Sequence, residues 1–203
     1  MRLYFKQVKG ISDNFSYVIA DSRYAVIVDP SYNATHLIQL IENLNRSLTF
    51  IINTHHHHDH TAGNIQVKNH FNCQIIAHRL SGIAKDREVE NNDLITIGEL
   101  TFQVIHTPGH TPDSMCLLID SKLLTGDTLF VGECGRTDLA EGNPKEMYNS
   151  LFKKILALPD STAVYPGHDY GSKPVSNLGY ERETNYTLKP RTLSEFVEFM
   201  SVP

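Results

Sequence analysis

Residues 54–60 read Thr54-His55-His56-His57-His58-Asp59-His60. Just before them, Leu48 to Ile52 is a short apolar run with the content of a buried strand, so the histidines leave the end of that strand. In such a loop alternate residues can turn toward one point. His55 and His57 can then share one cation while Asp59 and His60 face a neighbouring one. His56 and His58 alternate with them and are expected to point away, as supporting or hydrogen-bonding groups. The bland reading of a histidine run is an affinity tag, but tags sit at chain ends and this run is internal.

The same arrangement recurs further along the chain. His110 follows Thr107-Pro108-Gly109, Asp127 follows Thr125-Gly126, and His168 follows Tyr165-Pro166-Gly167, each where a strand is predicted to have just ended. A glycine beside each of these residues lets the backbone come close without a side chain in the way. Seven of the 11 histidines therefore fall in three short segments. His36, His70, His78 and His106 read as surface or packed residues. Imidazole and carboxylate donors without a thiolate suit Zn, Fe or Mn.

The surrounding pattern predicts strands at 15–20, 25–28, 48–52 and 73–77 in the first half, with helices over 35–44 and 62–71. Asp29-Pro30 ends the second of these strands, because proline cannot continue a central strand. The second half predicts closely spaced, antiparallel strands at 94–97, 101–106, 115–119 and 122–124. A helix over 145–158 follows, with Met147, Leu151, Ile155 and Leu158 on one face, and a last strand covers 163–165. Two short helices close the chain. Each half runs several strands and then a helix, which favours two packed sheets with helices outside, in one domain spanning 1–203.

Composition narrows the classes of partner. The chain has 203 residues, 23 acidic and 18 basic, with 40% hydrophobic and 20% charged, the profile of a soluble globular protein. Net charge is −5 and no basic run exceeds Lys153-Lys154, which argues against nucleic acid or an anionic membrane as partner. Small substrates are expected instead. Residues 1–10 mix Leu3, Phe5 and Val8 with Lys6 and Lys9 and lack the apolar core of a signal peptide, and no transmembrane stretch appears. Cys73, Cys116 and Cys134 are odd in number and far apart, which disfavours a disulfide framework and points to the cytoplasm. Cys134, although beside Gly135-Arg136, reads as a plain buried thiol.

Taken together, Thr54-His55-x-His57-x-Asp59-His60, Thr107-Pro108-Gly109-His110-Thr111, Thr125-Gly126-Asp127-Thr128-Leu129-Phe130 and Tyr165-Pro166-Gly167-His168 resemble the metallo-β-lactamase superfamily, in order and across nearly the whole chain. The resemblance implies an αββα four-layer sandwich with metals at one edge of the sheets. Carried over by position, His55, His57 and His110 would bind a first metal, Asp59, His60 and His168 a second, and Asp127 would bridge them. Two subfamilies compete. Thr54 to Asn64 and Gly126 to Val131 look like hydroxyacylglutathione hydrolase (glyoxalase II). Cys134 to Asp138, Tyr165 to Tyr170 and Glu195 to Met200 resemble persulfide dioxygenases, although that motif usually has Ala where this chain has His58. Short glyoxalase II-like hydrolases share Gly135-Arg136-Thr137-Asp138 and Leu178 to Arg182. The resemblance also makes Arg136 and Tyr170 substrate-binding candidates, the alternative for Arg136 being a salt bridge with Asp138 or Asp169.

The leading reading is a metallo-hydrolase that cleaves a thioester with two divalent ions, Zn in first place and Fe or Mn as alternatives. Asp59 would orient the attacking hydroxide and also serve as a ligand. No Ser, Cys or Lys nucleophile motif is present, and a thiol leaving group needs no strong general acid. The alternative is a mononuclear Fe(II) dioxygenase acting on glutathione persulfide, with His55, His110 and Asp127 as its triad. A lactone hydrolase ranks lower. A non-enzymatic metal module ranks lowest, because structural sites are usually closed. The expected partner is a small-molecule thioester or glutathione-type substrate, and a homodimer is compatible with the chain.

Overall fold

Strands whose two faces are both covered are dominated by apolar residues, and β2 of the computed structural model shows this: Phe15–Ala20 is buried throughout, and its one small polar side chain, Ser16, donates to the Asp29 carbonyl at 2.7 Å. The structure describes residues 3–201. The first sheet has the order β1 (Tyr4–Lys9), β2, β3 (Tyr24–Val28), β4 (Ser47–Ile52), β5 (Gln74–His78) and β6 (Arg87–Val89). β1 to β3 pair antiparallel and β3 to β6 parallel. Helix α1 (Ala34–Leu44) connects β3 to β4. Two further helices, α2 (His58–Thr61) and α3 (Asn64–Phe71), connect β4 to β5.

The second sheet collects β7 (Leu94–Ile97), β8 (Leu100–His106), β9 (Met115–Ile119) and β10 (Lys122–Gly126) as the expected antiparallel meander. β11 (Ala163–Pro166) then adds parallel to β10, and β12 (Ser176–Asn177) closes the edge. Between β10 and β11 lies a helical stretch that begins as α4 (Pro144–Tyr148). Helices α5 (Leu178–Thr184) and α6 (Leu193–Met200) end the described chain.

Three apolar layers hold these elements together. Phe15, Tyr17, Ile19, Val26 and Ile52 of the first sheet meet Phe102, Val104, Leu117 and Leu124 of the second. The opposite face of the first sheet, with Val18, Ile27, Ile51 and Ile75, packs on Leu37 and Ile41 of α1 and Val67 of α3. The outer face of the second, with Cys116, Leu123 and Val164, packs on Met147, Leu151, Leu178 and Phe196. This is the αββα order that the sequence implies. Among the described residues no helix is long and apolar enough to cross a membrane.

The departures from expectation are local. β1, β6 and β12 are edge or very short strands, and β1 carries lysines on a half-buried surface, so no apolar alternation announces it. The single helix predicted over 145–158 is in fact three geometries in series. Asn143 accepts hydrogen bonds from the Lys145 and Glu146 amides and Pro144 takes the first turn, so α4 starts cleanly. It then widens to a π-helix over Asn149–Lys154 and tightens to a 3₁₀ turn at Ile155–Ala157. Met147, Leu151 and Ile155 still reach the core.

Phe102 is fully buried where the two sheets meet. Phe102→Ala is expected to lower the unfolding free energy by about 3–5 kcal/mol, read as a reduced urea midpoint.

Candidate metal centre

All seven predicted ligand residues converge at one edge of the sandwich. The main chain leaves β4 at Ile52, bends at Thr54 and His55, passes His57 in extended form, and then turns once into α2, which carries Asp59 and His60. The expected plain loop is thus half loop and half helical turn. His110 sits between β8 and β9, Asp127 directly after β10, and His168 two residues after β11.

Three groups of donor atoms lie within 4.8 Å of one another: His55 with His57 and His110, His55 with His60 and Asp127, and Asp59 with His60 and His168. In the first, His57 Nδ1 is 3.1 Å from His55 Nε2 and 3.0 Å from His110 Nε2. In the last, Asp59 Oδ2 is 3.3 Å from His168 Nε2 and 3.7 Å from His60 Nε2. Asp127 joins the two sets, with Oδ2 3.5 Å from His110 Nε2 and 3.3 Å from His168 Nε2, and Oδ1 3.2 Å from His60 Nε2. Yet Asp127 Oδ1 is buried without a well-directed hydrogen bond. A buried carboxylate oxygen lacking a donor, facing clustered imidazole nitrogens, fits a divalent cation.

The outward nitrogens explain why the inward ones are free. His60 Nδ1 donates to Asp29 Oδ2 at 3.0 Å and His110 Nδ1 donates to the Arg136 carbonyl at 2.9 Å. The Thr54 hydroxyl donates to Asp29 at 2.6 Å, so its oxygen is left to accept from His55 Nδ1 at 3.2 Å. His168 Nδ1 faces Asp13 Oδ1 at 3.4 Å. Each bond fixes one tautomer and turns Nε2 toward the centre. His57 is the exception and presents Nδ1.

Charge follows the same geometry. Burial would raise Asp127, but His60, His168 and His55 hold it well below the ordinary carboxylate range. Burial likewise opposes ionisation of Asp59, which His168, His60 and Asn14 overcome. Burial would lower His168, yet hydrogen bonds to Asp127 and Asp59 push it up to about 9. His55 and His57 go the other way, lowered by burial and by neighbouring imidazoles. The centre thus has a neutral-imidazole side and a side where carboxylates attract positive charge.

The remaining candidates fall around this centre. His56 does point away, with Nδ1 donating to Asp113 at 2.7 Å and Nε2 3.3 Å from Glu141, while His58 is exposed and lies edge-on to Tyr32. Arg136 forms a bidentate pair with Asp138, both contacts 2.6 Å, and Asp169 pairs with Lys9 instead. Tyr170 is half exposed and stacks on His168, ring centroids 4.7 Å apart and 10° from parallel. The Arg136 side chain also lines a groove of about 970 Å³ with Cys134, Tyr186 and Phe199. Cys134 is buried as expected, and burial pushes its thiol up to about 12, which leaves it inert as a nucleophile. His78 and His106 stack on each other away from the ligand cluster, with ring centroids 4.0 Å apart.

Two residues that the ligand motif does not flag also support the centre. Asp29 accepts from the Thr54 amide at 2.7 Å as well as from the Thr54 hydroxyl and His60. Its only sequence signal is an acid at a strand end, in Val28-Asp29-Pro30. Asn14 donates to Asp59, a contact that follows from folding alone.

A model described as the metallo-beta-lactamase superfamily matches residues 10–168. The human mitochondrial persulfide dioxygenase ETHE1 is 39% identical over an alignment 199 positions long that covers 94% of this chain and 77% of that one. A hydroxyacylglutathione hydrolase of Rhodospirillum rubrum is 41% identical over an alignment 196 positions long that covers 92% of this chain and 74% of its own. The crystal structure of ETHE1 from Myxococcus xanthus aligns with a TM-score of 0.91 at 32% identity, covering 98% of this chain and 92% of that one.

Removing the Asp29 carboxylate strands three buried donors. Asp29→Ala is expected to destabilise the fold by about 3–5 kcal/mol, measured by chemical denaturation.

Proposed function

The chain belongs to the metallo-β-lactamase superfamily, and from that membership we propose that it is a metal-dependent hydrolase cleaving a thioester of the hydroxyacylglutathione type. One observation carries the reading: the donor set is complete on both sides of Asp127. His55, His57 and His110 would hold one divalent cation and Asp59, His60 and His168 a second, with Asp127 between them. Cations there supply a water acidified toward neutrality and polarise a carbonyl oxygen.

The chain's own residues set the rest. Of the two carboxylates in the candidate ligand set, Asp59 has a side chain 35% exposed against 8% for Asp127, so it is the one that meets both the ligand cluster and solvent. There it would accept a hydrogen bond from the attacking hydroxide, the water's proton having passed to solvent, and aim a lone pair at the thioester carbon, where the new carbon–oxygen bond forms. The carbon–sulfur bond breaks and the thiolate departs with the bonding pair, which requires no strong acid from the protein. Tyr170, stacked on His168, provides an aromatic wall at the mouth. Arg136 reaches a substrate carboxylate by exchanging its surface partner Asp138, a pair open to solvent and therefore easily exchanged.

A second reading has its own support. The similarity to ETHE1 proteins spans almost the entire chain, and His55 and His110 Nε2 lie 3.9 and 3.5 Å from Asp127 Oδ2. Two imidazoles and one carboxylate suit a single Fe(II) with open positions for dioxygen chemistry on a persulfide.

Metal analysis combined with paired assays separates the two. The hydrolase reading expects two metal ions per chain and hydrolysis of an acylglutathione thioester, lost on chelation and restored by zinc. One iron per chain, oxygen uptake on glutathione persulfide and no thioester cleavage would establish the second reading instead. Asp127→Ala removes the shared ligand and is expected to lower kcat/KM by at least about 100-fold, the upper end of what loss of even an outer partner costs.

A further inference from the structure

We propose that Asn14 is a positioning residue that holds Asp59 in place as a ligand for the second divalent cation, an inference that rests on the two-cation reading above. Asn14 lies at the end of the turn between β1 and β2, where polar side chains ordinarily face water. Here it is 3% exposed. Its Nδ2 donates to Asp59 Oδ2 at 2.9 Å and lies 3.5 Å from His168 Nε2.

The turn is fastened for this contact. The Phe15 amide donates to the Gly167 carbonyl at 2.7 Å and the Asp169 amide to the Asp13 carbonyl at 2.8 Å, so main-chain bonds flank Asn14 on both sides. Asn14 and His168 form an isolated antiparallel bridge. Lys9 Nζ reaches Asp169 Oδ2 at 2.7 Å on the outer side. The β1–β2 turn is thereby locked to the segment that carries one second-group ligand, while its amide grips another.

Asp59 needs such a grip. It rides on a single helical turn, which contributes little rigidity of its own, and its carboxylate can rotate. Among the described residues, Asn14 is the one side chain outside the ligand set that hydrogen-bonds it. None of the His55, His57 and His110 side chains hydrogen-bonds Asn14: His55 is backed by Thr54, His110 by the Arg136 carbonyl, and His57 Nδ1 faces those two imidazoles. Loss of the Asn14 amide is therefore selective: it frees the second group and leaves the first as built. Outer hydrogen bonds of this kind are worth about 10–100-fold in metal affinity.

The test is a zinc titration of the metal-free full chain by calorimetry, comparing wild type with Asn14→Leu, which keeps the branched shape without the donor, and with the smaller Asn14→Ser. Circular dichroism of the metal-free proteins identifies a folded variant. Wild type should take up two equivalents. A folded variant should bind the first with unchanged affinity and the second about 10–100-fold more weakly. Unchanged binding of both equivalents would overturn the proposal, and so would parallel weakening of both, the mark of general structural damage. A wild type that binds one equivalent would refute the two-cation reading itself, and the role of Asn14 with it.

Discussion

An imidazole can offer a bare nitrogen to a shared centre only if its other nitrogen keeps the proton, and the molecule is arranged around that constraint. Asp29, the Thr54 hydroxyl, the Arg136 carbonyl and Asp13 each stand behind one histidine of the cluster. None of these partners is near its histidine by sequence alone except Thr54. The end of β3 must lie beside the end of β4 for Asp29 to reach Thr54 and His60, and parallel pairing of the two strands provides this. Thr54 also ties the halves together, since its carbonyl accepts from the Met115 amide of the second sheet.

Close approach is the second requirement. Gly126 has a φ of +48°, and a Cβ there would sit 2.5 Å from the Thr54 hydroxyl. A side chain at Gly167 would collide with the Asp127 carboxylate and come within 2.8 Å of the His60 ring. Gly126 and Gly167 thus have the spatial reason that the sequence pattern suggested, whereas Gly109 makes room for the Met147 backbone of α4.

How legible the molecule was depends on how local each signal is. The seven candidate ligands stood out because metal chemistry restricts residue types and because they cluster in short segments at strand ends. The two-sheet order was legible because β2 and β3 are buried on both faces and, with the Phe50-Ile51-Ile52 end of β4, read as predominantly apolar runs. β1 was not, since an edge strand with Lys6 and Lys9 carries no such run. Asn14 and Asp29 were not, because an amide in a turn or an acid before a proline gains meaning only from a partner that folding delivers. The π-helical widening after α4 has no counterpart in the apolar periodicity, which continues across it.

The ligands come from both sheets, with His55 to His60 following β4 of the first and His110, Asp127 and His168 following strands of the second. Each of the two proposed three-residue groups draws on both sheets, so an ion held by either would cross-link the two halves of the chain. Binding energy then counts as folding energy, adding about 4 kcal/mol when free ion exceeds its dissociation constant a thousandfold. The same ion that serves chemistry would set how long each copy survives. Trace-metal supply would govern the amount of this protein in a cell as well as its turnover rate.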